Sequence, residues 1–269
     1  MSVRRAFRAA PERAGAVSVG ELHALTDWRA ALDGADHVIH LAGPAHGRFS
    51  QGDLTASIVD ASAALARQAS AAGVRRLIYV SSIKAAAART RRAVSERDAP
   101  APEDSYGRAK LAAEAAVAGE TEAVILRPPL VHGPGAKANF AKLMWLADTP
   151  LPLPFKGLRN RRSTIALSTL IQAIASVLKR PDGPTGVHHV ADQPALSTGA
   201  MIAALRKGCG RRNNLFFAPA LARLAPGVMT ESLEIDDAAF RAAYGYGARG
   251  AVEARAALTE TASAWKARR

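Results

Sequence analysis

The feature that most constrains the fold is an alternation of short apolar runs with longer helical segments. Runs typical of buried strands lie at 35–43, 74–82 and 122–129, and helical patterns lie between them at 54–72 and 106–118. Apolar runs without polar alternation indicate strands covered on both faces, as in a parallel sheet. Strands that alternate with helices predict an α/β fold with a doubly wound parallel sheet.

The alternation of predicted strands and helices becomes irregular after Pro129. A turn is predicted at 131–135, because it is rich in glycine and proline. The remaining predicted elements are helices at 138–147, 167–179, 197–207, 236–244 and 252–267 and a strand at 186–191. The chain after Pro129 is therefore expected to form a smaller region with a different arrangement of helices and strands.

Composition narrows the classes of function. The hydrophobic content of 49% supports a real core, and no apolar run approaches the roughly 18 residues needed to span a membrane. The single cysteine, Cys209, excludes an internal disulfide and a cysteine-based zinc site, and a reducing cytoplasm is the default. No metal is expected as a cofactor. The net charge of +13 favours anionic partners such as nucleotides and phosphates. The arginine clusters of the chain are not interleaved with aromatic residues, which argues against a surface that binds single-stranded nucleic acid.

Tyr106 and Lys110 form the first candidate catalytic pair. They are four residues apart in a predicted helix, so their side chains share one helix face. A free tyrosine has a pKa of about 10, and a nearby ammonium lowers that pKa by stabilising the phenolate. The same spacing also occurs on solvated helix faces, so the pair alone leaves both interpretations open.

Two serines strengthen the catalytic interpretation. Ser81 and Ser82 end the apolar run that precedes the Tyr106 helix. Ligands of open α/β sheets bind at the carboxyl ends of the strands. We therefore expect a serine here to approach the tyrosine of the following helix.

These motifs together resemble a known family. Val80-Ser81-Ser82, Tyr106-x-x-x-Lys110, a 127–135 segment Arg-Pro-Pro-Leu-Val-His-Gly-Pro-Gly, and Asn160-Arg161-Arg162-Ser163 occur in its order and spacing. The chain resembles the extended short-chain dehydrogenase/reductases, the NAD-dependent epimerase/dehydratase family. Within that family it is most similar to UDP-sugar 4-epimerase-like proteins and 4-keto-HexNAc reductases. The resemblance implies a Rossmann-like, incomplete dinucleotide-binding region at 1–129. It implies a mainly substrate-binding region at 130–269, of which 163–192 returns to the Rossmann sheet.

The resemblance also implies roles for individual residues. Tyr106 would be the acid/base, Lys110 would lower its pKa and hold the nicotinamide ribose, and Ser82 would bind the reacting oxygen. The implied cofactor contacts are Leu41, Ala42, Gly43, Ser81, Pro128 and Pro129, together with Tyr106 and Lys110. Asn139 and Arg162 would contact the diphosphate of a nucleotide sugar, for which an arginine fork is suited. Arg162 as a surface residue of an arginine cluster is an equally weighted alternative.

The sequence departs from the family at its beginning. The family's first strand and glycine-rich turn have no counterpart, and the segment beginning at Val3 matches the second strand. We expect the true reading frame to begin upstream of Met1. Ile58 stands where the family usually has an asparagine. Glu21 replaces an aspartate that reads adenine, and Arg8 is placed to meet a 2′-phosphate, which favours NADP over NAD.

Three functions follow as hypotheses. The first is NAD(P)-dependent oxidoreduction or epimerisation at C4 of a nucleotide sugar, by an enzyme that the resemblance implies to be a homodimer. Ile83 and Lys84 after the serine disfavour dehydration, since dehydratases usually carry an acidic residue there. The second is a truncated, catalytically impaired relic or nucleotide-sugar binding module. The third, nucleic-acid binding, rests only on charge.

Overall fold

The computed structural model describes residues 2–9, 15–44, 49–136, 138–222, 224–247 and 251–268. Its strands are β1 (Arg5–Phe7), β2 (Ala16–Ser18), β3 (His37–His40), β4 (Arg76–Val80), β5 (Ala123–Arg127), β6 (Leu130–His132), β7 (Arg162–Ala166), β8 (Gly186–His189) and β9 (Asp192–Leu196). Its helices are α1 (Arg29–Leu32), α2 (Gln51–Leu54), α3 (Ala61–Ala71), α4 (Ser105–Glu120), α5 (Ala138–Ala147), α6 (Leu167–Lys179), α7 (Thr198–Gly208), α8 (Pro219–Ala222), α9 (Gly227–Thr230), α10 (Ala238–Tyr244) and α11 (Ala251–Lys266).

The chain forms two compact units. The first unit consists of Met1–Ala88, Ala99–Arg127 and Val177–His188, and the second of Arg89–Asp98, Pro128–Ser176 and His189–Arg269. The chain therefore leaves the first unit for residues 89–98, leaves it again after β5, and returns to it over Val177–His188.

A four-stranded sheet forms the centre of the first unit, in the order β3-β4-β5-β8. β3, β4 and β5 are parallel, with His40 opposite Tyr79 and Val80 opposite Leu126. All five residues of β5 are buried, as its uninterrupted apolar sequence predicts. The predicted α/β fold with a parallel sheet is confirmed.

β1 and β2 lie outside this sheet. They pair in parallel with each other, with Arg5 opposite Ala16, and form a separate two-stranded sheet. In the part of the chain that the structure describes, β3 is consequently an edge of the four-stranded sheet. Ile39 and Leu41, at this edge, are 41% and 65% exposed, which is unusual for large apolar side chains of an α/β sheet.

The segment predicted as one helix at 54–72 begins earlier and contains an irregular turn. Ser50 and Asp53 form a reciprocal capping box at the start of α2. A π-helical turn, Thr55–Asp60, then separates α2 from α3 and carries the fully buried Ile58. Such turns are rare and often occur at functional sites.

The second unit contains a three-stranded sheet in the order β6-β7-β9. β6 is parallel to β7, whereas β9 is antiparallel to it. The predicted turn at 131–135 was therefore wrong in its first two residues, which belong to β6. The partner strand of β6 lies about thirty residues further along the chain, so no local pattern signals the pairing. Buried Phe140, Met144, Leu205 and Leu258 form part of this unit's core.

No helix in the described ranges is long and apolar enough to cross a membrane.

Candidate active site

α4 carries both residues of the candidate pair, and its first turn fixes where they lie. Asp104 is the N-cap, and its Oδ1 accepts a 2.7 Å hydrogen bond from the backbone N–H of Gly107. A side chain at Gly107 would overlap the carbonyl oxygen of Lys84. Only glycine therefore lets α4 lie this close to the 3₁₀ turn Ile83–Ala85 that follows β4.

A second contact joins the same two segments. Nζ of Lys84 donates to Oδ2 of Asp104 at 2.6 Å, and lies 5.9 Å from the ring centroid of Tyr106. Asp104, Gly107 and this role of Lys84 were not predicted from the sequence. The capping preference for aspartate just before a helix was a signal for Asp104. No sequence signal marks its pairing with Lys84.

Tyr106 is partly buried and packs against the core of the first unit. Burial, assisted by the charge of Asp104, raises the pKa of Tyr106 to about 12. The sequence predicted a pKa lowered by the neighbouring lysine, and the structure shows the opposite direction. In this arrangement Tyr106 is therefore a protonated phenol at neutral pH.

Lys110 points to the carboxyl end of β4. Its Nζ donates to the hydroxyl of Tyr79 at 3.2 Å and to the carbonyl of Val80 at 3.0 Å. Burial lowers the pKa of Lys110 to about 8, although the carboxylate of Glu114 favours the charged form. The third donor of the ammonium has no acceptor among the residues that the structure describes.

The two serines have different partners. The hydroxyl of Ser82, which is half-buried, accepts a 3.2 Å hydrogen bond from the backbone N–H of Lys84. Ser81 is buried, and its hydroxyl donates to Oε1 of Glu114. Glu114 in turn forms a buried ion pair with Arg127, whose NH2 lies 2.5 Å from Oε2. The Ser82 hydroxyl therefore accepts from the backbone, whereas the Ser81 hydroxyl donates to a buried carboxylate.

The predicted dinucleotide contacts discussed next lie after β1, β2 and β3. Leu41, Ala42 and Gly43 directly follow β3, and Gly43 has a φ of 131°, a conformation that favours glycine. Arg8 and Glu21, predicted to meet the adenosine part, lie 3.5 Å apart as an exposed ion pair.

Lys110 and the backbone at the end of β3 fit the ribose and nicotinamide end of a dinucleotide. The fit rests on the buried, unfilled donor of Lys110 and on the glycine backbone at the end of β3. A ribose hydroxyl would satisfy that donor.

The remaining predicted residues belong to the second unit. Pro128 and Pro129 are buried and connect β5 to β6 along the chain. Arg162 begins β7, and its NH1 donates to the carbonyl of Glu231 at 3.0 Å, while burial lowers the pKa of its guanidinium. Asn139 lies in α5, but its side chain is outside the described residues.

The arginines at 159, 161 and 162 differ in their surroundings. Arg159 and Arg161 border an open cavity of about 300 Å³, together with Arg255, and Arg161 is paired with Glu234 at 3.0 Å. Arg162 does not line this cavity. Within the described ranges, no group of three histidine, cysteine, aspartate or glutamate side chains is placed to hold a metal ion.

Comparison with known proteins identifies the relatives of this chain. Residues 50–227 match the family model described as RmlD substrate binding domain. Over 204 residues the chain is 36% identical to a UDP-glucose 4-epimerase of Vibrio cholerae. That match covers 70% of this chain, which spans only 61% of the relative's length.

Two solved structures share the fold over nearly the whole chain. A UDP-glucuronic acid 4-epimerase from Bacillus cereus in complex with NAD is 19% identical, with a TM-score of 0.76 over 95% of this chain and 82% of that one. The Bordetella bronchiseptica enzyme WbmG in complex with NAD and UDP is 21% identical, with a TM-score of 0.76 over 97% and 82% of the chains. The relationship predicted from the motifs is confirmed. The chain belongs to the RmlD substrate binding domain family and, with it, to the extended short-chain dehydrogenase/reductases.

Proposed function

We propose that this chain catalyses NAD(P)-dependent oxidoreduction or epimerisation at C4 of a nucleotide sugar, with Tyr106 as the acid/base. The observation that supports the proposal is the hydrogen bond from Lys110 of α4 to the Val80 carbonyl at the end of β4, with Tyr106 one turn earlier in the same helix. Ser82 follows β4, and its hydroxyl accepts from the backbone N–H of Lys84. The similarity to a UDP-glucose 4-epimerase supports a UDP-sugar as the substrate.

The pKa of Tyr106 indicates which proton transfer its surroundings favour. With a pKa of about 12, only about one Tyr106 in ten thousand is a phenolate at pH 8. The phenol is therefore suited to donate its proton to the oxygen of a C4 ketone, and Ser82 donates a second hydrogen bond to that oxygen. In the opposite direction Tyr106 must accept the proton of a C4 hydroxyl, which requires stabilisation of the phenolate by nearby positive charge.

A bound nicotinamide dinucleotide would supply the hydride chemistry at C4. Lys110 would hold its ribose through the remaining ammonium donor, and Leu41, Ala42 and Gly43 would line it. Pro128 and Pro129 would pack near the nicotinamide. Arg8 is not a clear reader of a 2′-phosphate, because Glu21 lies 3.5 Å from its guanidinium. Parallel titrations with NADH and NADPH, observed by nicotinamide fluorescence, decide between the two cofactors.

Substrate binding is the part of the proposal that involves the second unit. NH1 of Arg162 is bonded to the Glu231 carbonyl, so its other two guanidinium nitrogens are proposed to meet a diphosphate. Asn139 is proposed as its companion. Replacement of Arg162 by lysine keeps the charge and removes the fork, and should raise the KM for a UDP-sugar more than it lowers kcat.

The direct test is replacement of Tyr106 by phenylalanine. Loss of a general acid/base typically lowers the rate by about 10²- to 10⁴-fold, so conversion of UDP-glucose with NAD or NADP should fall by that factor. Tyr244→Phe, in the second unit, is the matched control and should retain activity. Retention of wild-type turnover by Tyr106→Phe would exclude Tyr106 as the acid/base.

A nucleotide-sugar binding module is the second candidate. It is favoured by the raised pKa of Tyr106 and by Ile58, whose buried apolar side chain offers no hydrogen bond at the π-helical turn. This candidate predicts binding of UDP without measurable binding of NADH or NADPH. Micromolar affinity for either dinucleotide would argue against it.

A further inference from the structure

A chain of polar side chains crosses the otherwise apolar core beneath Lys110. His40 of β3, Ser62 of α3, Tyr79 of β4 and Lys110 of α4 are 3%, 1%, 0% and 5% exposed. They lie among core residues such as Trp28, Leu77 and Ile125. A polar group buried in such surroundings is costly unless it is hydrogen-bonded, so the arrangement of these four requires an explanation.

The four side chains are linked in series. Lys110 Nζ lies 3.2 Å from the Tyr79 hydroxyl, and its charge lies 4.6 Å from the centroid of the same ring. Ser62 lowers the pKa of Tyr79 through a side-chain hydrogen bond, and Ser62 Oγ lies 2.8 Å from Nε2 of His40. The imidazole of His40 stacks on the Tyr79 ring at 5.2 Å, which holds both rings in place.

Donor and acceptor chemistry constrains the Lys110 end of this series. An ammonium only donates, so the Tyr79 oxygen accepts from Lys110. The hydrogen bond with Ser62 lowers the pKa of Tyr79, which is the effect of a donor to that oxygen. Burial and the charge of Lys110 lower the pKa of His40 to about 3, so its imidazole is neutral and has one donor and one acceptor nitrogen.

We propose that Tyr79, oriented by Ser62 and His40, is the positioning residue that holds the Lys110 ammonium at the carboxyl end of β4. The proposal rests on the function proposed above, since a fixed Lys110 serves a cofactor ribose and the phenolate of Tyr106. Tyr79 supplies one of the two hydrogen-bond acceptors of Lys110, and the Val80 carbonyl supplies the other. Because Val80 contributes a backbone atom, Tyr79 is the side chain whose change moves the ammonium.

The charged and titratable groups around Lys110 come from three elements. Glu114 and Tyr106 lie on α4, His40 on β3 and Tyr79 on β4. Among the described residues, only Tyr79 and Val80 are within hydrogen-bond distance of Nζ. Glu114 acts on Lys110 through its charge alone, and that charge is shared with Arg127.

The closing experiment measures the pKa of Lys110 directly, by NMR of protein labelled with ¹⁵N at lysine Nζ. The signal is assigned by its loss in Lys110→Arg. Tyr79→Phe keeps the ring over the ammonium and removes only the hydroxyl. It should lower the pKa of Lys110 by about one unit or more, because the charged form loses a hydrogen bond. Tyr244→Phe, a buried tyrosine of the second unit, should leave it unchanged.

Ser62→Ala removes the hydroxyl next to Tyr79 in the series and leaves Tyr79 itself unchanged. It is the second variant, to be used if Tyr79→Phe fails to fold. It should lower the pKa of Lys110 by less than Tyr79→Phe does, whereas Ser62→Thr should restore it. A Lys110 pKa that is unchanged in folded Tyr79→Phe, or in Ser62→Ala, would overturn the proposal. The measurement needs no turnover, so it stands even if the chain proves to be a binding module. In an active preparation, Tyr79→Phe should lower kcat about tenfold at unchanged KM for the sugar and move the basic limb of the pH profile to lower pH.

Discussion

Nζ of Lys84 lies 2.6 Å from Oδ2 of Asp104, and this pair fastens the turn after β4 to the first turn of α4. The same carboxylate caps α4 through Oδ1. One side chain thus sets both the start of the helix and its distance from Ser82. The position of Tyr106 relative to the end of β4 follows from these two bonds.

The hydrogen bond by which Asp104 caps α4 should contribute more to the stability of the protein than the ion pair of Asp104 with Lys84. Asp104→Ala removes both and should lower the free energy of unfolding by about 1–2 kcal/mol. Asp104→Asn keeps an oxygen for the Gly107 N–H, and the ion pair is 43% exposed on both sides, so this variant should lose less than about 1 kcal/mol. Urea unfolding of both proteins checks the order. Equal losses would show that the charge, not the cap, is important.

Gly107 should tolerate no side chain. Gly107→Ala places a methyl group against the Lys84 carbonyl and should cost at least about 2 kcal/mol of stability. Gly119→Ala is the matched control in the same helix, because nothing lies within 4 Å of the added carbon. It should stabilise the protein by about 0.5–1 kcal/mol, since alanine favours helix over glycine. Similar midpoints in urea for the two variants would contradict the close packing of α4.

The ion pair between Glu114 and Arg127 should be sensitive to loss of its charge. Both side chains are 4% exposed, so Glu114→Gln leaves a buried guanidinium without a counter-charge and should cost about 3 kcal/mol. Glu120→Gln, at the end of the same helix, removes an exposed pair with Arg67 and should change stability by less than about 1 kcal/mol. Thermal or urea unfolding gives both values. A small effect at Glu114 would mean that water reaches the pair.

Lys110 should make stability depend on pH in the alkaline range. Its pKa is about 8 in the folded protein, against 10.5 for an unperturbed lysine, so the unfolded chain binds more protons between these values. The free energy of unfolding should therefore rise as the pH increases from 8 to 10.5, and Lys110 contributes about 3 kcal/mol to this rise at most. Lys110→Met should remove this rise, whereas Lys207→Met, at an exposed position, should keep it. Identical pH profiles for Lys110→Met and the wild type would contradict a buried ammonium.

Local patterns were sufficient where the signal is carried by neighbouring residues. The apolar runs predicted β3, β4 and β5, and the spacing of Tyr106 and Lys110 placed both on α4. The patterns failed where the partner is distant, as in β6, which pairs with β7, and in the link between Lys84 and Asp104. The raised pKa of Tyr106 could not be predicted from local patterns either, because its main cause is burial, which depends on the packing of the whole unit.

The central claim is that hydride transfer at C4, with proton exchange at Tyr106, is the chemistry of this chain. The most direct measurement is NMR of UDP-glucose incubated with the protein and NAD or NADP in D₂O. The account predicts inversion or oxidation at C4 with no solvent deuterium at that carbon, and no reaction in Tyr106→Phe. Solvent deuterium at C4, or equal turnover by Tyr106→Phe, would contradict it.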